Sequence, residues 1–223
     1  MSGFEHTEFT GKAPANSQAA ASQLVAIALS AAGLEPLRVV LAGLPADLPA
    51  AVMVLQHIGV DSALPPILQS VTRMRVKFAE EDELLRSGTV YVCPPRVHAV
   101  IRPTRTVALS SSPAIRLARP SADWLLESAA ASFRESALAV ILSGRLSDGA
   151  RGVTWMRRAG AHTIAQTPST CGFSGMPLAA IRTGCVDAVL PPDQIAPALR
   201  AALRKTEATL RFQAWEDPFA AAH

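Results

Sequence analysis

The chain has 223 residues, is 49% hydrophobic and 17% charged, and carries a formal net charge of +3 with a mean hydropathy of +0.24. Those values exclude a chain disordered throughout, and the length suits one α/β domain that buries roughly 70% of its unfolded surface. Cys93, Cys171 and Cys185 make no disulfide framework, while scattered arginines and only 5% aromatic residues give neither a phosphate footprint nor a base-stacking platform, so no nucleic-acid partner is expected.

Residues 1–22 are small and polar without an apolar period, and are expected to be a loosely ordered tail ahead of a domain at 23–208. The longest apolar run, Leu24 to Leu34, contains Ser30 and falls well short of the ~20 residues a membrane span needs. Glu5 and Glu8 precede it and no basic region leads it, so no signal peptide is expected and the expected location is the cytoplasm. From there, short apolar runs at 24–30, 51–57, 89–95, 138–144, 162–166 and 186–191 read as strands buried on both faces. Helix-like stretches lie between or after them at 31–43, 61–72, 121–135, 149–159, 174–183 and 193–208. The runs at 99–103 and 106–110 are close enough to form an antiparallel hairpin. The predicted fold is α/β: a three-layer α/β/α sandwich with a mostly parallel, doubly wound sheet and one antiparallel β-hairpin. Residues 209–223 are expected to be a surface extension after the last helix.

In such a sheet, ligands bind beyond the carboxyl ends of the strands, near a topological switch point. Three polar residues stand there: Ser30 ends the first run, His57 ends the second, and Asp148 follows the LAVILSG run by four positions. A hydroxyl, an imidazole and a carboxylate are what nucleophilic catalysis requires, the imidazole taking the hydroxyl proton and the carboxylate orienting the imidazole. Each has an ordinary reading as well: Ser30 as N-cap of a helix from Ala31, His57 as a satisfied buried histidine, Asp148 as cap of the helix after Gly149. No G-x-S-x-G elbow, phosphate loop or dinucleotide fingerprint is present, and the five histidines are too far apart for metal-ligand spacing.

Several blocks are specific together: VAIALSAAGLEPL, the LPADLP-to-QH block ending in His57, EEDELLRSGTVYVCPPRVH, RPSADWLLESAA, ILSGRLSDGARG and TIAQTPSTCGFSGMPLAAI. In order and spacing, from about Val25 to Leu199, they resemble the catalytic domain of the chemotaxis protein-glutamate methylesterases (CheB type). The resemblance implies Ser30 as nucleophile, His57 as general base and then acid, Asp148 as orienting carboxylate, and the backbone amides of Ala31 and Arg145 as oxyanion donors. It implies hydrolysis of glutamate γ-methyl esters on the cytoplasmic helices of methyl-accepting chemoreceptors, with glutamine deamidation in some members. It implies no metal or other cofactor, no membrane insertion and a monomer.

The loops depart from the family pattern. Ser-Thr-Gly-Gly becomes Ser30-Ala31-Ala32-Gly33, and Gly-Met-Gly-x-Asp-Gly becomes Gly144-Arg145-Leu146-Ser147-Asp148-Gly149. A leucine at a position requiring positive φ would be strained, and Arg145 would bring a cation close to the oxyanion. The usual Gly-Met-Pro-Arg becomes Gly175-Met176-Pro177-Leu178. Family members typically carry an N-terminal receiver domain, and the residues before the first strand here are too few for one, so control from a separate receiver protein or none is expected. Two other readings stand beside the esterase: a catalytically weakened relative that binds receptors or signalling partners, and a small-ester hydrolase.

Overall fold

Strands apolar at every position need cover on both faces, and that requirement organises the whole chain. The computed structural model describes residues 19–57, 63–115 and 118–216, with side chains as far as 205. The expected tail over 1–22 therefore lies largely outside the described residues, as do positions 217–223 of the expected extension.

The strands are β1 (Gln23–Leu29), β2 (Ala50–Gln56), β3 (Arg75–Phe78), β4 (Thr89–Val92), β5 (His98–Ile101), β6 (Val107–Ser110), β7 (Ala137–Ile141), β8 (His162–Gln166) and β9 (Ala188–Leu190). Seven of them form one parallel sheet in the order β3-β4-β2-β1-β7-β8-β9, and β5 and β6 pair as an antiparallel hairpin. The helices are α1 (Leu34–Ala42), α2 (Leu64–Gln69), α3 (Ala122–Phe133), α4 (Ala150–Arg158), α5 (Gly175–Arg182) and α6 (Pro192–Glu216).

Alternation along β1 divides the core. Leu24, Ala26 and Ala28 face a layer built from α3, α4, α5 and the hairpin, through Leu125, Leu126, Met156, Met176 and Ile101. Val25, Ile27 and Leu29 face α1, α2 and α6, through Leu37, Leu41, Leu68, Ile195 and Leu199. The result is the three-layer α/β/α sandwich with its parallel sheet and single hairpin.

Several boundaries shift by a few residues, the helix expected at 61–72 spanning 64–69 for example, and three differences matter most. Strand β3 has no apolar run to announce it: RVKF alternates at the sheet edge, where only one neighbour is needed. Helix α1 begins at Leu34 rather than 31, because residues 30–33 form a turn in which Ala32 has φ +56°. Helix α6 continues past 208 to Glu216, since the sequence offers no glycine or proline between Pro197 and Pro218.

The chain leaves β1 toward β2 on one side and resumes at β7 on the other, so the switch point lies between β1 and β7. The carboxyl ends of β2, β1 and β7 open there.

Candidate active site

Sheet register brings the first two candidates side by side. Leu29 of β1 is paired with Gln56 of β2, so Ser30 and His57 are the next residues on adjacent parallel strands, and the His57 N–H donates to the Leu29 carbonyl at 3.1 Å. On the other flank the Ser30 N–H donates to the Ser143 carbonyl at 3.0 Å, just beyond β7. Asp148 follows that strand after a short loop and turns back toward β2. His57 Nε2 lies 2.8 Å from Asp148 Oδ2. Ser30 thus follows β1 beside His57 at the end of β2, and Asp148 contacts that imidazole; among the described residues the Ser30 hydroxyl makes no hydrogen bond, to His57 or to any other group.

Asp148 is held by more than the imidazole. Its Oδ2 also accepts the Ala122 N–H at 2.7 Å, and its Oδ1 accepts from the Asp123 and Gly149 N–H groups at 3.0 and 3.1 Å and from the Ser121 hydroxyl at 3.2 Å. Ala122 and Asp123 open α3, so the carboxylate sits on unpaired amides at a helix N-terminus, where negative charge is favoured. Burial works to raise its pKa, but the His57 hydrogen bond and the Asp123 and Ala122 amides outweigh it and hold the carboxyl below its ordinary value. An ionised Asp148 only accepts, so His57 donates from Nε2, and in the neutral ring that tautomer puts the lone pair on Nδ1. This is the reverse of the ring-nitrogen usage in chymotrypsin-like triads.

Ser30 does not cap α1, whose N-cap is Gly33. Asp148 does cap a helix, but mainly α3 rather than the α4 that follows it, and it does so while bonded to His57. His57 is partly open, its side chain 21% exposed.

Behind the carboxylate lies support that the sequence reading assigned no role. Ser121 caps α3, its Oγ accepting the Trp124 N–H at 3.5 Å while donating to Asp148. The Ser121 N–H in turn donates to Nδ1 of fully buried His98, which puts the His98 proton on Nε2, 3.2 Å from the Pro113 carbonyl. Asp123 Oδ1 accepts the Gly149 and Gly152 N–H groups, each at 2.9 Å, tying α3 to the start of α4. A serine directly before the apolar helix 122–133 is an N-cap signature and was the available signal. That its hydroxyl also reaches a distant carboxylate has no local sequence signal.

Three loops form the mouth around Ser30. Ser143, fully buried, joins them: its Oγ lies 3.0 Å from the Ala31 carbonyl and 3.1 Å from the Phe173 carbonyl, and accepts the Phe173 N–H at 3.0 Å. Its own N–H donates to Oε1 of Gln166 at 2.9 Å, and Gln166 Nε2 reaches the Thr170 carbonyl at 3.0 Å. Gly144 pairs with this second loop, donating to the Phe173 carbonyl and accepting from Met176, both at 2.9 Å. A Cβ on Gly144 would lie 2.9 Å from Ser30 Cβ and 2.2 Å from Met176 Sδ, so only glycine fits beside the serine. Ala32 and Leu146, the two positions where the resemblance leads one to expect glycine, both have left-handed backbone, with φ +56° and +62°. The Ala31 and Arg145 amides donate to no group among the described residues, which leaves both available.

Two of the three cysteines are poor nucleophiles. Burial pushes the Cys93 thiol up to about 12 and the Cys171 thiol to about 11, so neither supplies thiolate near neutrality. Among the described residues no group of three His, Cys, Asp or Glu side chains is arranged to hold a metal ion, and no helix is long and apolar enough to cross a membrane.

Residues 25–199 match the CheB methylesterase family. The chain is 40% identical over 181 residues to a Bdellovibrio bacteriovorus protein named protein-glutamate methylesterase/protein-glutamine glutaminase, covering 78% of this chain and 50% of that one. It is 41% identical over 178 residues to the protein-glutamate methylesterase FrzG of Myxococcus xanthus, covering 79% and 53%. The chain thus spans about half the length of these curated relatives. The crystal structure of the Thermotoga maritima CheB methylesterase catalytic domain superposes with a TM-score of 0.78 at 32% identity, over 80% of this chain and 97% of that one.

Proposed function

The chain belongs to the CheB methylesterase family, and from that premise we propose that it hydrolyses glutamate γ-methyl esters on chemoreceptors through Ser30, His57 and Asp148. The observation that carries the proposal is the 2.8 Å contact between His57 Nε2 and a helix-anchored Asp148, one strand away from Ser30.

The chemistry follows from that arrangement. Asp148 holds the Nε2 proton, so Nδ1 is the basic nitrogen. Nδ1 takes the proton of the Ser30 hydroxyl as Oγ bonds to the ester carbonyl carbon, and the carbonyl oxygen becomes an oxyanion. The free amides of Ala31 and Arg145 supply the charge stabilisation, each such donor being worth roughly 3–4 kcal/mol. The protonated imidazole then gives its proton to the departing methoxide, and methanol leaves an acyl-serine. A water molecule deprotonated by the same Nδ1 cleaves that acyl bond, releasing glutamate and restoring Ser30. Glutamine side chains enter the same cycle with ammonia as the leaving group. In this reading the protein works as a monomer in the cytoplasm, on the cytoplasmic helices of the receptor, with a separate receiver protein as candidate regulator.

The test is methanol release from a methylated receptor fragment. The proposal expects release by the wild-type chain and none above background for Ser30→Ala. Release that persists in Ser30→Ala contradicts it.

A further inference from the structure

The mouth of the site carries one feature that the hydrolytic cycle does not use. Arg145 and Leu146 follow Gly144, whose α-carbon abuts Ser30, and both side chains face outward. Leu146 is 73% exposed, and Phe173, across the paired loop, is 38% exposed. The Arg145 guanidinium lies 4.2 Å from the centroid of the Phe173 ring. That stacking is its only side-chain interaction among the described residues, and no carboxylate neutralises it.

Elsewhere on this chain arginines close to acids pair with them. Arg102 contacts Glu81 and Asp82, and Arg157 contacts Asp187. Arg145 rests on an aromatic face, as Arg105 does on Phe133 and Arg158 on Trp155, but next to exposed Leu146 and to Gly144, the neighbour of Ser30. A guanidinium over a ring face keeps its N–H donors for other partners, and a carboxylate is the group they bind best. Among the described residues, the acid at the reacting centre is Asp148, which is buried and engaged by His57 and α3. Arg145, Leu146 and Phe173 therefore give an exposed rim next to Gly144, whose α-carbon borders Ser30, over which a segment delivering an ester carbonyl could lie.

We infer that Arg145, seated on Phe173 and flanked by Leu146, is a specificity-determining residue that selects ester-bearing helical segments with a free carboxylate about one turn from the ester. The inference rests on the ester-hydrolase reading of Ser30 and adds the charge of the flanking sequence to it. A glutamate four residues from the ester lies on the same helix face, so one face presents both groups to the rim. The interaction is exposed, so its effect is modest and sensitive to salt.

The test uses three synthetic helical peptides, each with one glutamate γ-methyl ester and, four residues away, glutamate, glutamine or lysine. With the wild-type protein at low salt, kcat/KM falls in that order, by about two- to fivefold per step, mainly through KM. Arg145→Glu inverts the order, and in 1 M salt the wild-type preference collapses as screening shortens to about 3 Å. Equal kcat/KM for the three peptides, or an order unchanged by Arg145→Glu, overturns the inference and leaves the esterase reading standing. Absence of turnover on all three peptides overturns both.

Discussion

Asp148 accepts hydrogen bonds from His57 Nε2 at 2.8 Å and, on the same oxygen, from the Ala122 amide at 2.7 Å. One carboxylate therefore orients the imidazole and caps α3, so the proposed catalytic geometry and a structural helix start depend on the same charge. Two of the predictions below follow from that double use.

Asp148→Asn keeps the size of the side chain but loses the charge, and its amide group is a wrong partner for at least one of the N–H donors that converge there. We expect kcat to fall by about 10⁴, as expected when an orienting carboxylate is replaced by an amide. Stability should also fall, by about 1.5–3 kcal/mol for a hydrogen-bonded charge. Steady-state kinetics and urea unfolding check the two effects. A loss of activity with unchanged stability would mean that the Ala122 and Asp123 contacts contribute little to α3.

The depressed pKa of Asp148 sets a direction for acid stability. A carboxyl whose folded pKa lies below its unfolded value contributes stability that is complete above the unfolded value, about 3.9. That contribution is lost as pH falls through the folded value. Thermal unfolding should thus lose ground below about pH 4 in the wild type, with a shallower decline in Asp148→Asn. Parallel Tm profiles for the two proteins from pH 6 to pH 3 would contradict this.

Much of this was legible in the sequence, and the limits are physical. Continuous apolar runs identified strands buried on both faces, and the polar residues ending two of them, Ser30 and His57, fall into register because parallel neighbours of equal length end together. Edge strand β3 escaped because an edge position does not demand an apolar run. The support around Asp148 escaped for another reason: Ser121, His98 and Asp123 act through contacts spanning more than twenty residues, which periodicity does not encode. Ser143 is similar, a serine within an apolar run whose side chain joins two loops that are remote along the chain.

Left-handed backbone at Ala32 and Leu146 stores strain beside the serine. For a residue with a Cβ this conformation costs about 1–2 kcal/mol, partly offset by the entropy that glycine loses on folding. Ala32→Gly and Leu146→Gly should each stabilise the protein by about 0.5–1 kcal/mol, measured by urea unfolding. Destabilisation by either substitution would show that the side chain contributes packing that outweighs the backbone strain.

Gly144→Ala tests the packing of the mouth from the opposite direction. Its new methyl would meet Met176 and Ser30, so we expect a loss of about 1–3 kcal/mol from overpacking together with a fall in kcat of at least tenfold. Near-normal activity would mean that the loop yields without displacing the serine.

The central claim is that Ser30 is activated by His57 and Asp148, and adduct formation at that oxygen tests it most directly. Intact-mass and peptide mapping after treatment with a serine-directed fluorophosphonate should show one adduct on Ser30 in the wild type, and strongly slowed labelling in His57→Ala and Asp148→Asn. A wild-type Ser30 that stays unlabelled, or that labels equally fast in both variants, would contradict the account and leave a docking domain in place of an esterase.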